Sequence, residues 1–315
     1  KFYNGSPLDR LNCLNEAAEF VQMKKDTQTR FMGLSRRLKS AYIICFPSGE
    51  LTDEETSKAQ FYLAIRSIIY KQTQGDAPDA EIMNHVVEDM VREAITCTGI
   101  ENIVDEHKSV DLFSDDFLKE LETVKLPITK FNALLKLLRK AISAYGKTNK
   151  VKAVEFDERL RQVVDAYNSR DKLIFTSEVV SDFVNDLSDQ LIKIMNDLND
   201  DKRSFEKMGI SYEEKAFYDI LVKVRDAHGF PYADEKCIIL AKKIKGLIDD
   251  KSQYADWSTR EDIKNQLNMD LTVLLYKNGY PPEWDEEVFE KVMEQAENFK
   301  QYSSPDGEEL PVSEE

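Results

Sequence analysis

Glycine and proline are scarce in this chain, at 11 and 9 residues in 315, about half the roughly 12% usual for globular proteins. So few chain breakers exclude an architecture of many short strands and favour long helices. Cysteine is as thin. Cys13, Cys45, Cys97 and Cys237 lie far apart and form no CxxC or Cys/His pair, so they offer neither a disulfide framework nor a zinc site. Each falls in a helix-like pattern, where a buried free thiol in a reducing compartment is expected. No apolar run approaches the ~20 residues of a membrane span, and no signal peptide is visible; a cytoplasmic protein with no membrane partner is expected. The first residue is Lys1 rather than methionine, as in a piece excised from a longer protein. A basic surplus is missing too. The formal net charge of −16 argues against indiscriminate binding of duplex DNA, which draws on clustered Lys and Arg. The imbalance is uneven: residues 1–200 carry 27 basic and 33 acidic side chains, residues 201–315 carry 16 and 26. A basic groove fits the first part, and a protein-contacting surface suits the second.

Amphipathic helix fills most of what remains. Phe31, Leu34, Leu38, Ala41 and Cys45 recur at three-and-four spacing, as do Phe131, Leu134, Leu138, Ile142 and Tyr145, and then Phe183, Leu187, Leu191, Ile194 and Leu198. Thr52 with Glu55, Ser211 with Glu214 and Ser258 with Glu261 are spaced as capping boxes. Ser114, Pro127 and Asp285 mark further helix starts, and Gly146 and Gly279 sit where a left-handed glycine closes a helix. Tyr42–Phe46 and Leu173–Phe175 are short β-like runs without partners. The expected fold is all-α, an irregular multi-helix bundle in two lobes with at most a small β-hairpin. Loops are expected at Gln74–Asp79 and at Asn199–Gly209, the latter a domain boundary. The expected domains are 1–200, 201–302 and a disordered acidic tail, 303–315. No repeat of fixed period appears, which weighs against a solenoid.

Catalytic motifs do not survive inspection. Gly146-Lys147-Thr148 lacks the earlier glycine of a phosphate loop, since Ala141 holds that place, and it follows a helix rather than a strand. Asp105-Glu106-His107 has no phosphate loop upstream to serve. Pro78-Asp79 with Glu81 lacks the E-x-K that a metal-dependent nuclease needs, and Asp79 reads as a helix cap. His85, His107 and His228 are isolated, and no G-x-S-x-G occurs. No catalytic residue, metal site or cofactor is assigned.

One ordered set of short motifs remains. Ser211-Tyr-Glu-Glu-Lys-Ala-Phe-Tyr218 precedes Asp256-Trp257 with Arg260, then Gly279-Tyr280-Pro281-Pro282, then Glu294-Gln295-Ala-Glu297. In that order they resemble the C-terminal region of the restriction (R) subunit of type I restriction-modification enzymes. More diffusely, Arg30-Phe31, Leu38, Ala41-Tyr42 and Val91–Ile100 resemble the helical domain that follows the motor domains in such subunits. The resemblance implies a parent that is an ATP-dependent DNA translocase and site-specific deoxyribonuclease. Its nuclease and two RecA-like domains would lie upstream of Lys1, with ATP and Mg²⁺ serving only those. This piece would then be non-catalytic, supporting the motor and docking it on the methyltransferase core. Its partners would be the modification and specificity subunits, with DNA reached through the parent enzyme.

Taken physically, Glu214 belongs to the cap of a helix that Phe217 and Tyr218 anchor in the core. Trp257 fits a staple on Ile263, and Arg260 can pair with Asp256 or a helix C-terminus. Tyr280, Pro281 and Pro282 form a stiff turn that aims a last helix carrying Gln295 and Glu297. These residues are either architectural or anchors for a partner. Two basic clusters, Arg36, Arg37 and Lys39 and then Lys136, Arg139 and Lys140, lie at helical spacing. They read as solvating charge, or as a face lining the DNA path. The alternative function is accordingly a helical DNA-binding domain acting through these first-lobe clusters.

Overall fold

Long uninterrupted stretches of Leu, Ile, Ala, Lys and Glu give ten α-helices, and no strand occurs among the described residues. The structure, a computed structural model, describes residues 7–45, 51–73, 126–170, 177–252 and 260–302. The helices are α1 Pro7–Gln22, α2 Lys25–Cys45, α3 Asp53–Thr73, α4 Pro127–Gly146, α5 Lys150–Asn168, α6 Ser177–Met208, α7 Tyr212–His228, α8 Asp234–Ser252, α9 Glu261–Lys277 and α10 Asp285–Tyr302, with a 3-10 turn at Pro282–Trp284. The expected all-α class holds. None of these helices is long and apolar enough to cross a membrane.

Two compact units divide the chain: Lys1–Arg139 with Arg159–Asn196, and Lys140–Glu158 with Asp197–Glu315. The division differs from a single cut at residue 200 by giving residues 140–158 to the second unit. In the first unit Leu14, Ala18 and Val21 of α1 pack on Ala64, Ile65, Ile68 and Ile69 of α3, and Phe31 and Met32 of α2 close over them. Tyr42, Ala59 and Leu63 form a smaller cluster. In the second unit Phe217, Leu221 and Val224 of α7, Leu240 and Ile244 of α8, Leu267, Leu271 and Leu275 of α9, and Val288 and Val292 of α10 build one core. Burying each such side chain stabilises by roughly 1.5–3 kcal/mol.

Helix ends follow local chemistry closely. The Thr52–Glu55 box forms, with Thr52 N–H donating to Glu55 at 3.0 Å and Glu55 N–H to Thr52 Oγ1 at 3.2 Å. So does the Ser211–Glu214 box. Gly279 closes α9 at φ 72°, with Tyr280 N–H donating to Leu275 and Gly279 N–H to Tyr276, the six-to-one and five-to-two bonds of a Schellman end. Gly146, by contrast, does not turn left-handed. It ends α4 in helical geometry, and its use lies in packing: a Cβ there would already touch Ala153 at 3.4 Å.

Four further expectations need correcting. Asn199–Gly209 is not a loop: α6 runs on through Met208, since no residue from 199 to 208 breaks a helix and Leu198 and Ile210 on either side are buried. The inner face of α2 is Phe31, Ser35, Leu38 and Tyr42, one position away from the expected stripe, leaving Leu34 and Ala41 exposed. That shift lets Tyr42 meet Gln60 (3.2 Å), and it leaves Cys45 exposed while Cys237 is buried. Tyr42–Cys45 is helical rather than β-like. Finally, α9 begins at Glu261 with Arg260 in the cap position, so Glu261 is too early in the helix to close a box from Ser258. The expectations on Gln74–Asp79, Pro78 and Glu81, His85, Val91–Ile100, Cys97, Asp105–His107, Ser114, Leu173–Phe175, Asp256, Trp257 and the tail 303–315 fall outside the described residues.

Candidate functional site

In the second unit one signature residue, Gln295, serves the turn between α4 and α5. A three-residue turn leaves carbonyls of Gly146, Lys147 and Thr148 without helical partners. α10 supplies donors: Asn298 Nδ2 donates to Gly146 O at 2.8 Å and Lys147 O at 2.9 Å, and Gln295 Nε2 to Thr148 O at 3.1 Å. Gln295 also accepts from the Lys150 N–H at 2.9 Å, one of the orphan donors at the start of α5. Lys147, Thr148 and Asn149 spend their own N–H groups on Ala144 and Tyr145. The Gly-Lys-Thr sequence therefore offers carbonyls to amides, the reverse of a phosphate cradle.

Behind that turn lies a buried polar cluster. Lys215 of α7 reaches Asp219 at 2.5 Å and Asp201 of α6 at 3.3 Å, and Asn149 donates to Asp219 at 2.6 Å. Tyr145 donates to Asp201 at 2.6 Å. Burial pushes the Asp219 carboxyl up, against the lowering pull of Lys215. Burial, followed by the Asp201 charge, pushes the Tyr145 phenol far up, so it acts as a donor and not as a nucleophile. These groups satisfy one another, as buried polar groups must; the arrangement fixes geometry and leaves no free acid, base or nucleophile.

The other signature residues complete the same unit. Phe217 is buried edge-on to Phe299, with centroids 6.0 Å apart. Tyr218 is half-buried, its phenol pushed up to about 12 by desolvation. Tyr280 lies between Phe230 and Tyr232 and donates to Leu221 O at 3.0 Å. Pro281 caps the 3-10 turn that Pro282 begins, and that turn leads into α10. Its Trp284 stacks on His228 at 3.4 Å, while His228 meets Glu287 at 2.7 Å. Arg260 pairs with Asp262, and Glu297 faces Lys264 at 3.6 Å. On α9, opposite the buried Leu267, Leu271 and Leu275, a second stripe points to water: Met269 (65% exposed), Val273 (48%) and Tyr276 (73%).

The first unit holds a different feature. Glu19 of α1 caps α4 from outside, accepting from Ile128 N–H at 2.6 Å and Thr129 N–H at 3.1 Å. Gln22 donates to Gln72 at 2.8 Å and accepts from Asn132 at 3.0 Å, and its carbonyl takes Arg170 Nε at 3.1 Å. The Arg170 guanidinium lies 4.0 Å from the centroid of Tyr167, whose ring stacks on Phe131 at 4.1 Å. Beside this network opens a cavity of ≈ 610 Å³, lined in part by Gln72, Asn132, Tyr167, Lys25, Lys136 and Arg139. Two of the six basic candidates thus share a cavity wall. Arg36, Arg37 and Lys39 lie on α2 and Lys140 at the rear of α4, none of them in that wall.

Sequence reasoning missed Asn149, Lys215, Asp219, Asn298 and Tyr167. Lys215 and Asp219 flank Phe217 on the inward face of α7 at i,i+4 spacing, a pattern that could have flagged a buried pair; Asn298, one turn beyond Gln295, carries no such signal.

A family model described as "Type I restriction enzyme HindI endonuclease subunit-like, C-terminal" matches residues 1–302. The chain is 26% identical over 288 residues to the type I restriction enzyme HindI endonuclease subunit of Haemophilus influenzae, covering 88% of this chain and 26% of that protein. It is 21% identical over 269 residues to the putative type I restriction enzyme MjaIXP endonuclease subunit of Methanocaldococcus jannaschii, covering 84% and 25%. It thus spans about a quarter of the length of these relatives. No solved structure matches.

Proposed function

Since this chain belongs to the family formed by the C-terminal regions of type I restriction endonuclease subunits, we propose that it is the non-catalytic helical end of such a protein, bracing the motor and docking it on the methyltransferase core. The parent would translocate DNA at the expense of ATP and cleave it in the cytoplasm, using ATP and Mg²⁺ in domains that precede this one. The observation that carries the docking role is the two-sided α9. One stripe is buried, and the opposite stripe leaves Met269, Val273 and Tyr276 in water. Met and Tyr are enriched at the desolvated centre of protein interfaces. The acidic balance of residues 201–315 also suits a protein partner better than DNA. The interlocked cluster around Lys215 and the carbonyl-presenting Gly146–Thr148 turn support the non-catalytic part of the reading.

Mixing the chain with the modification and specificity subunits on a sizing column tests this directly. Co-elution is expected, and Met269→Glu with Tyr276→Glu should abolish it while leaving the helical circular dichroism and melting unchanged. Co-elution of that variant at wild-type strength sinks the α9 assignment; nucleotide turnover or plasmid nicking by the chain alone sinks the non-catalytic reading. A second reading, DNA contact through the basic clusters, is favoured by the shared position of Lys136 and Arg139 in one cavity wall.

A further inference from the structure

The cavity of the first unit has the volume of a nucleotide-sized pocket, ≈ 610 Å³. Among the described residues its lining carries three cations, Lys25, Lys136 and Arg139, and no carboxylate, in a chain where 59 acidic residues outnumber 43 basic ones. Lys136 and Arg139 are one helical turn apart on α4, and neither has a carboxylate partner among the described residues. Two such cations on a concave polar wall attract an anion, and phosphate oxygens match both side chains.

The rest of the wall is built to hold its shape. Gln72 and Asn132 are fixed from behind by Gln22, which is itself fully buried. Tyr167 is 7% exposed, clamped between Phe131 and Arg170, and its buried hydroxyl has no hydrogen-bond partner among the described residues. A buried donor with nothing to bond is costly unless a ligand or function employs it. The volume far exceeds what a bare phosphate fills, and amide side chains beside apolar Met32 and Leu135 suit a sugar and base edge. A duplex is too wide to enter such a concavity.

We propose that this cavity binds a nucleoside phosphate, either as a free nucleotide or as an unpaired residue of a DNA strand. The proposal deepens the DNA-contact reading of the basic clusters and is independent of the docking role. It is tested on the full chain at low salt, by anisotropy of a short fluorescein-labelled single strand and, separately, of a fluorescent ATP analogue, with unlabelled ATP and duplex as competitors. Lys136→Gln with Arg139→Gln should weaken binding of the strand by about 10- to 100-fold and reduce its salt slope by about 1–1.5, with melting unchanged. Competition by ATP identifies the free nucleotide as a ligand; strand binding that ATP does not displace identifies the unpaired residue. If ATP binds at this wall and DNA does not, the cavity stands and the DNA reading falls. If the strand binds but only Arg36→Gln with Arg37→Gln weakens it, the cavity is refuted and the DNA reading survives. If neither ATP nor strand binds, both are refuted.

Discussion

Replacing Gln295 by methionine separates hydrogen bonding from packing at the α4–α5 turn. Methionine has the same reach without a donor or acceptor, so little volume is lost. The change removes the bond to Thr148 O (3.1 Å) and the one from Lys150 N–H (2.9 Å), at a side chain only 1% exposed. Each bond contributes about 1 kcal/mol net, and each backbone group left unpaired near the interior adds about 1 kcal/mol or more. The expected loss is therefore about 2–4 kcal/mol, a large part of the roughly 5–15 kcal/mol that holds a domain together. Trp284 packs against the core of the second unit, so its fluorescence in urea follows that unit apart from the first. The urea midpoint should fall by roughly 1–2 M. Glu294→Ala provides the contrast. It removes an exposed ion pair to Lys150 at 2.5 Å, and exposed pairs contribute at most about 1 kcal/mol. A Gln295→Met change under roughly 0.5 kcal/mol, the size of an ordinary surface substitution, would refute the reasoning.

Two further outcomes follow from the same geometry. Hydrogen bonding by His228 holds the Glu287 carboxyl below its ordinary 4.5; a depressed folded value means the associated stability is complete above about pH 4.5 and is lost as pH falls through the folded value. Urea titrations from neutral to acid pH should show that loss in the wild type and not in Glu287→Gln. Tyr167→Phe deletes a buried hydroxyl that has no partner among the described residues, so calorimetry of the unliganded protein should give a melting temperature equal to or above that of the wild type; a clear fall would show that the hydroxyl is satisfied in solution.

What could be seen in the sequence was local. The Ser211–Glu214 box and the Gly279 helix end each depend on residues within six positions, and both appear in the structure. The apolar register of α4 from Phe131 to Tyr145 was equally plain, because all five residues face inward. On α2 the pattern misled, since Leu34 looked like core while the polar Ser35 is the buried residue. Continuity of α6 past residue 199 was hidden by its charges, which happen to suit a solvated helix as well as a loop. The polar interior was beyond reach. Glu19 meets Thr129 across 110 positions and Gln295 meets Thr148 across 147, and no periodicity encodes pairings of that range. Gln295 was singled out as part of a motif, but its task depended on a turn whose own sequence suggested nucleotide chemistry.

The grip of Asn298 on Gly146 sets a timetable for synthesis. At about 5–20 residues per second, the ribosome makes the acceptor roughly 8–30 s before the donor 152 positions later. Throughout that interval the corner between α4 and α5 has only solvent for its carbonyls, and a chain released early would keep it that way. Closure of that corner therefore waits on the synthesis of α10.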